Sequence, residues 1–383
     1  MDPEVVTDII KNISEDFGEL TVTNGNKHTF LGMKMNFRKD QKVELDLSEY
    51  LREAIVESGM DVSQKVSSPA ANWLFKVNEN AEKLSDGKRD IFHSVTQKLL
   101  WVTQRGRPDC GLAVSFLVKR VHSPDVDDWK KLRRLLCYIN HTINDTRVFG
   151  ADNLNHLDTF IDSSHAVHMN MRGHTGGAMS MGTGIVHGKG SAQKMNSRSS
   201  TETELIGNSE YLPYSIWVEH FMEAQGHKIK QHVLWQDNES AEKMAKNGRL
   251  SCMGNSRHVA IKFFWTADRV KQGKMDVKHC PTAKMLADFY TKPLQGKLFQ
   301  KFRRVIMGWD HISILEVDGL TSSTSSTSDV KEERVGNRKM VSFSTDPKLS
   351  YADVVKSHNS YISRDKGNEN CKVELEAKAY NST

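Results

Sequence analysis

The chain has 383 residues, enough for two or three domains that each bury a core. Its 53 Lys plus Arg against 48 Asp plus Glu give a formal charge of +5, which suits an anionic partner without requiring one. No apolar run is long enough to span a bilayer, and the first residues lack the basic-then-apolar profile of a secretory signal, so a soluble intracellular protein, cytoplasmic or nuclear, is expected. The five cysteines, Cys110, Cys137, Cys252, Cys280 and Cys371, contain no Cys-x-x-Cys pair, which argues for reduced thiols rather than a zinc or redox centre.

Residues 1–150 read as mixed helix and strand. Val5, Val6, Ile9, Ile10 and Ile13 recur at helical spacing and predict a short amphipathic opening helix. Stretches 29–37 and 42–47, flanking the polar turn from Arg38 to Gln41, predict a hairpin. Asp46 and Glu49 have the spacing of a capping box before a helix whose apolar stripe is Leu47, Tyr50, Leu51, Ala54 and Ile55, stopped at Gly59. Two further helices are predicted over 90–103 and 109–121, separated by Gly106 and Pro108. Another starts at Ser123 as N-cap and Pro124 at the first position, with Asp125, Asp127 and Asp128 facing the positive end of the dipole.

From about residue 151 strands and helices alternate, the pattern of an α/β domain. Strands are expected at 157–167, 177–187, 191–196, 232–236 and 275–280, with helices at 201–224, 239–246 and 258–271 and a last helix containing Ala287 and Asp288. Beyond Trp309 the composition changes again. The stretch 310–383, rich in Ser, Thr, Lys, Glu, Asp and Asn, is expected to be a disordered polar tail.

Four acids stand where rigid elements could bring them together: Asp162 on the first strand of this domain, Glu204 on its first helix, Asp237 just past a later strand, and Asp288 at the last helix. Carboxylates are the hard oxygen ligands that Mg²⁺ prefers, and two such ions roughly 4 Å apart support in-line phosphoryl displacement. Any one of these acids alone is more simply a turn residue or helix cap. Glu202 and Glu204 lie two positions apart on one helix and point roughly 200° from each other, so both cannot face one site. Glu202 stands three residues after Ser199 and suits a capping box, leaving Glu204 for the metals.

The ordered series of Asp162-Ser163-Ser164-His165, Arg172-Gly173-His174-Thr175-Gly176-Gly177, Ser199-Ser200-Thr201-Glu202-Thr203-Glu204-Leu205, Gln236-Asp237-Asn238-Glu239-Ser240-Ala241, Arg257-His258 and the tract from Pro281 to Leu294 resembles the ribonuclease H domain of copia-type LTR retrotransposon polyproteins. The resemblance covers about 151–305. It implies an α/β, ribonuclease H-like mixed sheet of five strands flanked by helices, spanning 151–309, and an endoribonuclease acting on RNA/DNA hybrids with two Mg²⁺ or Mn²⁺ ions. The family's metal-binding, catalytic acids fall on Asp162, Glu204, Asp237 and Asp288, and a mobile histidine that aids product release corresponds to His279. Phe30-Leu31-Gly32-Met33, Leu45 to Leu51, Pro69 and Arg107 to Ser115 are similar to the C-terminal reverse transcriptase segment of the same family, with primer-grip hairpin, thumb and connection, over 1–150.

The polymerase's paired aspartates are expected before residue 1, so DNA synthesis by this chain alone is not expected; an upstream polymerase part is an expected partner and a membrane is not. Asp127 and Asp128 imitate the polymerase pair but belong to a helix start. The basic runs Lys130-Lys131, Arg133-Arg134 and Lys301 to Arg304 suit either phosphate contact or a solvated helix face. The alternative to a hydrolase is a non-catalytic remnant that binds nucleic acid and exposes apolar surface in 1–150.

Overall fold

In the computed structural model, residues 3–247, 265–318 and 320 are described. The chain divides into two units, Met1–Ser325 and Ser326–Thr383, and every described residue belongs to the first. The fold is mixed α/β with two five-stranded sheets. An amphipathic helix α1 (Pro3–Phe17) opens the chain. Strands β1 (Lys27–Phe30), β2 (Met33–Phe37) and β3 (Val43–Asp46) are followed by helices α2 (Ser48–Ser58), α3 (Asp86–Arg105), α4 (Gly111–Val118) and α5 (Val126–His141). With β4 (Arg147–Ala151) and β7 (Gly182–Thr183), the first three strands build one antiparallel sheet in the order β1-β2-β3-β4-β7.

The second sheet holds β5 (His156–Ser164), β6 (His174–Ser180), β8 (His187–Ala192), β9 (Gln231–Gln236) and β10 (Asp276–His279) in the order β10-β9-β5-β6-β8. β5, β6 and β8 are antiparallel neighbours, whereas β9 and β10 run parallel to β5. The parallel return from β5 to β9 requires a crossover, supplied by the 25-residue helix α6 (Ser200–Ala224). Helix α7 (Glu239–Asn247) follows β9. The mixed five-stranded sheet flanked by helices is therefore present.

Side chains alternate across the sheet and so divide between two cores. Leu157, Ile161, Met179 and Leu234 pack with Tyr211 and Leu212 of α6. Phe160, Ala178 and Trp235 belong instead to the larger cluster, with Leu51, Phe92, Leu99 and Leu136 from α2, α3 and α5 and with Phe299 and Phe302 of the helix Gly296–Ile306. Residues before and after position 150 thus share one apolar core. The exposed apolar side chains of the first segment include Val5, Val6, Ile9, Ile13 and Phe17 on α1 and Phe30, Leu31 and Phe37 at the first strands.

Several local expectations change. The 29–37 stretch is two strands, because Leu31 and Gly32 both take positive φ and reverse the chain. Asp46 does not build a capping box; its Oδ1 accepts the Ser48 N–H at 2.7 Å and Leu47 is the N-cap. Helix α5 starts two residues later than expected, with Asp125 as N-cap. Asp125 and Asp128 form the reciprocal capping box there, which fixes Asp127 and Asp128 as helix-start residues. The expected 109–121 helix is a three-residue 3₁₀ turn followed by α4. The 177–187 stretch turns back at Gly182 and Gly184, both at positive φ, so β6 ends at Ser180 and β8 runs from His187 to Ala192.

Asp288 is not at the start of an α-helix. It lies in the five-residue 3₁₀ helix Leu286–Tyr290, which Pro293 prevents from continuing. Residues 265–271 are helical, while 258–264, with Arg257 and His258, lie outside the described residues. The expected tail begins too early: Ile312–Leu315 is a 3₁₀ helix with Ile312 and Leu315 in the core, and 321–383 lie outside the described residues. Cys110, Cys137 and Cys280 are buried free thiols, and Cys252 and Cys371 lie outside the described residues. Among the described residues no helix is long and apolar enough to cross a membrane.

Candidate metal centre

Asp162 is the third-last residue of β5, the central strand, and faces the same side as Phe160. Its register partner on β6 is Gly176. A Cβ there would lie 2.9 Å from the Ala287 carbonyl oxygen and 2.6 Å from Thr291 Cγ2, so glycine lets the 286–291 segment descend onto the sheet. On the opposite face α6 crosses β5 at Gly207, where a Cβ would meet Ser163 Oγ at 2.0 Å. That close crossing brings Glu204, one turn earlier on α6, to the end of β5. Asp237 follows the last residue of β9, parallel neighbour of β5, and Asn238 caps α7 by accepting the Ser240 and Ala241 N–H groups.

These elements converge. Asp162, Glu204 and Asp237 each offer a carboxylate oxygen, and the three oxygens lie within 4.8 Å of one another. Glu204 is held by two donors, the Ser163 N–H and the Gln236 amide, each at 3.2 Å. Ser199 accepts the Glu202 N–H, but Glu202 accepts the Arg198 N–H at 2.6 Å rather than that of the N-cap Ser199, so Glu202 serves the helix start without closing the expected capping box. Asp288 joins from the 3₁₀ turn but is not one of the three whose ligand atoms fall within 4.8 Å. Lys292, four residues on, donates to Asp288 Oδ1 at 2.7 Å and lies 3.8 Å from Asp162. The Thr291 hydroxyl donates to Asp162.

The electrostatics follow from like charges gathered in a half-closed site. Burial, then the charges of Asp162 and Asp237, push the Glu204 carboxyl well above its usual range. Burial and Asp162 also raise Asp237. Asp288 is pushed up to about 7 by burial and Asp162, against the pull of Lys292. Burial opposes charge on Lys292 as well, but Asp162 and Asp288 hold its ammonium above its usual value. One lysine thus faces three carboxylates, Asp162, Asp237 and Asp288. A divalent cation would relieve what Lys292 does not, and the carboxylate oxygens of Asp162, Glu204 and Asp237 could hold one.

His279, the last residue of β10, pairs in register with Gln236 and so stands beside the strand that leads to Asp237. Its ring is exposed and 3.8 Å from Glu242. His165 instead bonds Ser197 and Thr203, and His168 bonds His174. Sequence reasoning named the four acids but not Lys292, Thr291 or Gln236, which set their charge and orientation. The Asp288 to Lys292 spacing of four was a readable signal for a local ion pair. Gln236 and Thr291 carry no such signal, because their partners lie 32 and 129 residues away in the chain.

No protein-family model matches the chain. It is 23% identical over 288 residues to the retrovirus-related Pol polyprotein from transposon TNT 1-94 of Nicotiana tabacum, covering 74% of this chain and 22% of that protein. It is 26% identical over 281 residues to the corresponding polyprotein from transposon RE2 of Arabidopsis thaliana, covering 73% and 19%. The chain therefore spans about a fifth of the length of these curated relatives. Among solved structures, the RNase H1 of the halophilic archaeon Halobacterium salinarum is 15% identical, with 34% of this chain and 90% of that one covered at a TM-score of 0.25. A foamy viral protease-reverse transcriptase in complex with RNA/DNA hybrid is 10% identical, with 71% and 31% covered at 0.39. The homologues of this chain are retrovirus-related Pol polyproteins of copia-type plant transposons, matched over about three quarters of its length.

Proposed function

We propose that the chain is a ribonuclease H-type hydrolase that cuts the RNA strand of RNA/DNA hybrids, with Asp162, Glu204, Asp237 and Asp288 holding two Mg²⁺ or Mn²⁺ ions. The carrying observation is the convergence of Asp162, Glu204 and Asp237 oxygens within 4.8 Å at one end of the mixed sheet. Bound divalent ions would supply a Lewis acid for the phosphoryl oxygens and a lowered pKa for a coordinated water.

The chain's own residues supply the remainder. Ser163 and Gln236 fix the Glu204 carboxylate so that it cannot swing out of the site. Thr291 orients Asp162, and Lys292 keeps Asp162 and Asp288 from repelling each other freely before metal enters. Asp237 is only half-buried and opens the cluster to an incoming phosphodiester. Exposed His279 at the end of β10 is proposed to aid product release. Segment 1–150 is proposed to be the C-terminal reverse transcriptase part, with the 151–309 domain carrying the hydrolase and an upstream polymerase part as partner.

A gel assay of a labelled RNA/DNA hybrid, with Mg²⁺ or with chelator, tests this on wild type beside Asp237→Asn. Metal-dependent cleavage lost in the variant is expected, whereas equal signal from both proteins without metal sinks the proposal. The intrusion of Lys292 between Asp162 and Asp288 favours a second reading, a binding remnant that no longer turns over. Salt-sensitive hybrid binding with no Mg²⁺-dependent cleavage would establish it.

A further inference from the structure

A cavity of about 460 Å³ opens where the turn between β5 and β6 meets the end of α4, and its wall contains cations but no carboxylate. Lys119, His168, Arg172 and Lys194 border it, with Phe75 and Phe116 as an apolar wall. Lys119 Nζ lies 3.3 Å from His168 Nε2, which lies 3.0 Å from His174 Nδ1, and the Phe75 ring meets His168 edge-on at 5.3 Å. Arg120 also reaches the cavity, but Asp125 and Asp128 take its guanidinium, each at 2.9 Å.

The basic runs that stand out in the sequence are mostly committed elsewhere. Lys131 donates to the Lys76 carbonyl, Arg133 to Asp61, Arg303 to Asp109 and Arg304 to Asp310. The cavity's cations differ in kind. Desolvation and the charge of Arg172 push the Lys119 ammonium down to about 8, with no acid acting in the other direction. Burial and Lys119 push His168 down to about 4. Lys119, Arg172 and Lys194 thus bring positive charge to one cavity whose wall holds no carboxylate, and an anion there would be attracted to all three.

The location narrows the anion. His174 pairs with Ser164, two residues beyond the Gly176 and Asp162 pair and on the same face of the sheet. That step along the strand is roughly 7 Å, about two nucleotide rises, and the cavity lies beyond it, where His168 of its wall meets His174. An apolar wall beside cations suits a phosphate flanked by sugar and base rather than a free ion.

We propose that this cavity seats a backbone phosphodiester of the nucleic acid, about two nucleotides along the strand from the bond at the acid cluster, and so sets the register of the strand. This rests on the hydrolase reading above.

The test uses the full chain and a fluorescein-labelled hybrid in chelator, with affinity read by anisotropy across a salt series. Lys119→Gln/Arg172→Gln should weaken binding about tenfold and reduce the slope of log K against log salt by about one to two, the contribution of one or two phosphate contacts. The distant pair Lys65→Gln/Lys271→Gln should stay within about twofold. Arg172→Gln alone, at an exposed loop position, should show part of the loss and keeps the test valid if the double variant does not fold. Unchanged affinity and slope in both cavity variants overturns the proposal. So does inorganic phosphate or a mononucleotide that shifts the Lys119 side-chain NMR signal while hybrid affinity stays indifferent to the substitutions, which would mark a free-phosphate site. A wild type that binds through the cavity but never cleaves defeats the hydrolase reading alone; a double variant that binds like a cleaving wild type defeats only this inference.

Discussion

Asp109 and Glu204 are both buried carboxylates, yet their surroundings drive them in opposite directions. Asp109 accepts from Arg107 twice at 2.9 Å, from Tyr138 at 2.7 Å and from Arg303 at 3.0 Å. Burial works against its charge, but these partners hold the carboxyl well below its usual range. Glu204 is buried against Asp162 and Asp237, has only neutral donors, and is held well above that range. The first cluster joins the segments before and after residue 150 and is complete as it stands. The second sets one lysine, Lys292, against several acids, which gather where strand ends and helix starts meet. Burial alone therefore does not separate a structural acid from a functional one; the sign of the neighbours does.

The strongest way to break this contrast is to remove Asp109. Asp109→Ala leaves Arg107 and Arg303 charged without their shared partner and should destabilise the chain by about 3–5 kcal/mol in denaturant unfolding. A loss below about 1 kcal/mol would mean that the network is not what joins the two segments. Glu204→Gln should do the reverse. It should lower hybrid cleavage by about 10²-fold or more, the scale of losing one transition-state group, with no loss of metal-free thermal stability. A destabilised but still active variant would place Glu204 among the structural acids.

Much of the acid cluster was legible in the sequence because each acid sits beside a local signal: Asp162 in an apolar strand, Glu204 one turn into a capped helix, Asp237 before the Asn238 cap. The α/β alternation likewise showed in the period of the apolar residues. What was not legible depends on tertiary approach. Arg107 and Asp109 lie two residues apart in a break between helices, and nothing local announces that Tyr138 and Arg303 will close around them. The sequence pattern puts Asp288 on a last helix with Ala287. The chain instead tightens to a 3₁₀ turn, with Pro293 ahead and the sheet glycine Gly176 beneath. Asp125 displaced Ser123 as N-cap because only Asp125 has a reciprocal partner at the right distance, Asp128.

Gly176→Ala sharpens the contrast between a site that is packed and one that is merely charged. Its new methyl would press on the Ala287 carbonyl and Thr291, costing about 1–3 kcal/mol and lifting Asp288 away from Asp162. Thermal unfolding and cleavage should fall together; unchanged unfolding with normal cleavage would show that the 286–291 turn does not depend on this close approach.

The smallest effect concerns Asp288 and pH. Its carboxyl is raised from the ordinary 3.8 to about 7 in the folded chain. The stability that its protonation gives is therefore fully present below about pH 4 and lost as pH rises through 7. In metal-free protein Asp288→Asn should raise Tm at pH 8 by roughly 2–4 °C, and the gain should vanish near pH 4. A variant less stable than wild type at pH 8 would place Asp288 with Asp109, as an acid whose charge the fold requires.

The most direct measurement is a calorimetric titration of metal-free protein with Mn²⁺ at pH 6.5, in two buffers of different ionisation enthalpy. Because the raised carboxyls must lose protons to ligate, binding with net proton release is predicted for the wild type, and loss of that binding in Glu204→Gln. Mn²⁺ binding that releases no protons and is equally strong in Glu204→Gln would contradict the assignment of the acid cluster as a metal site.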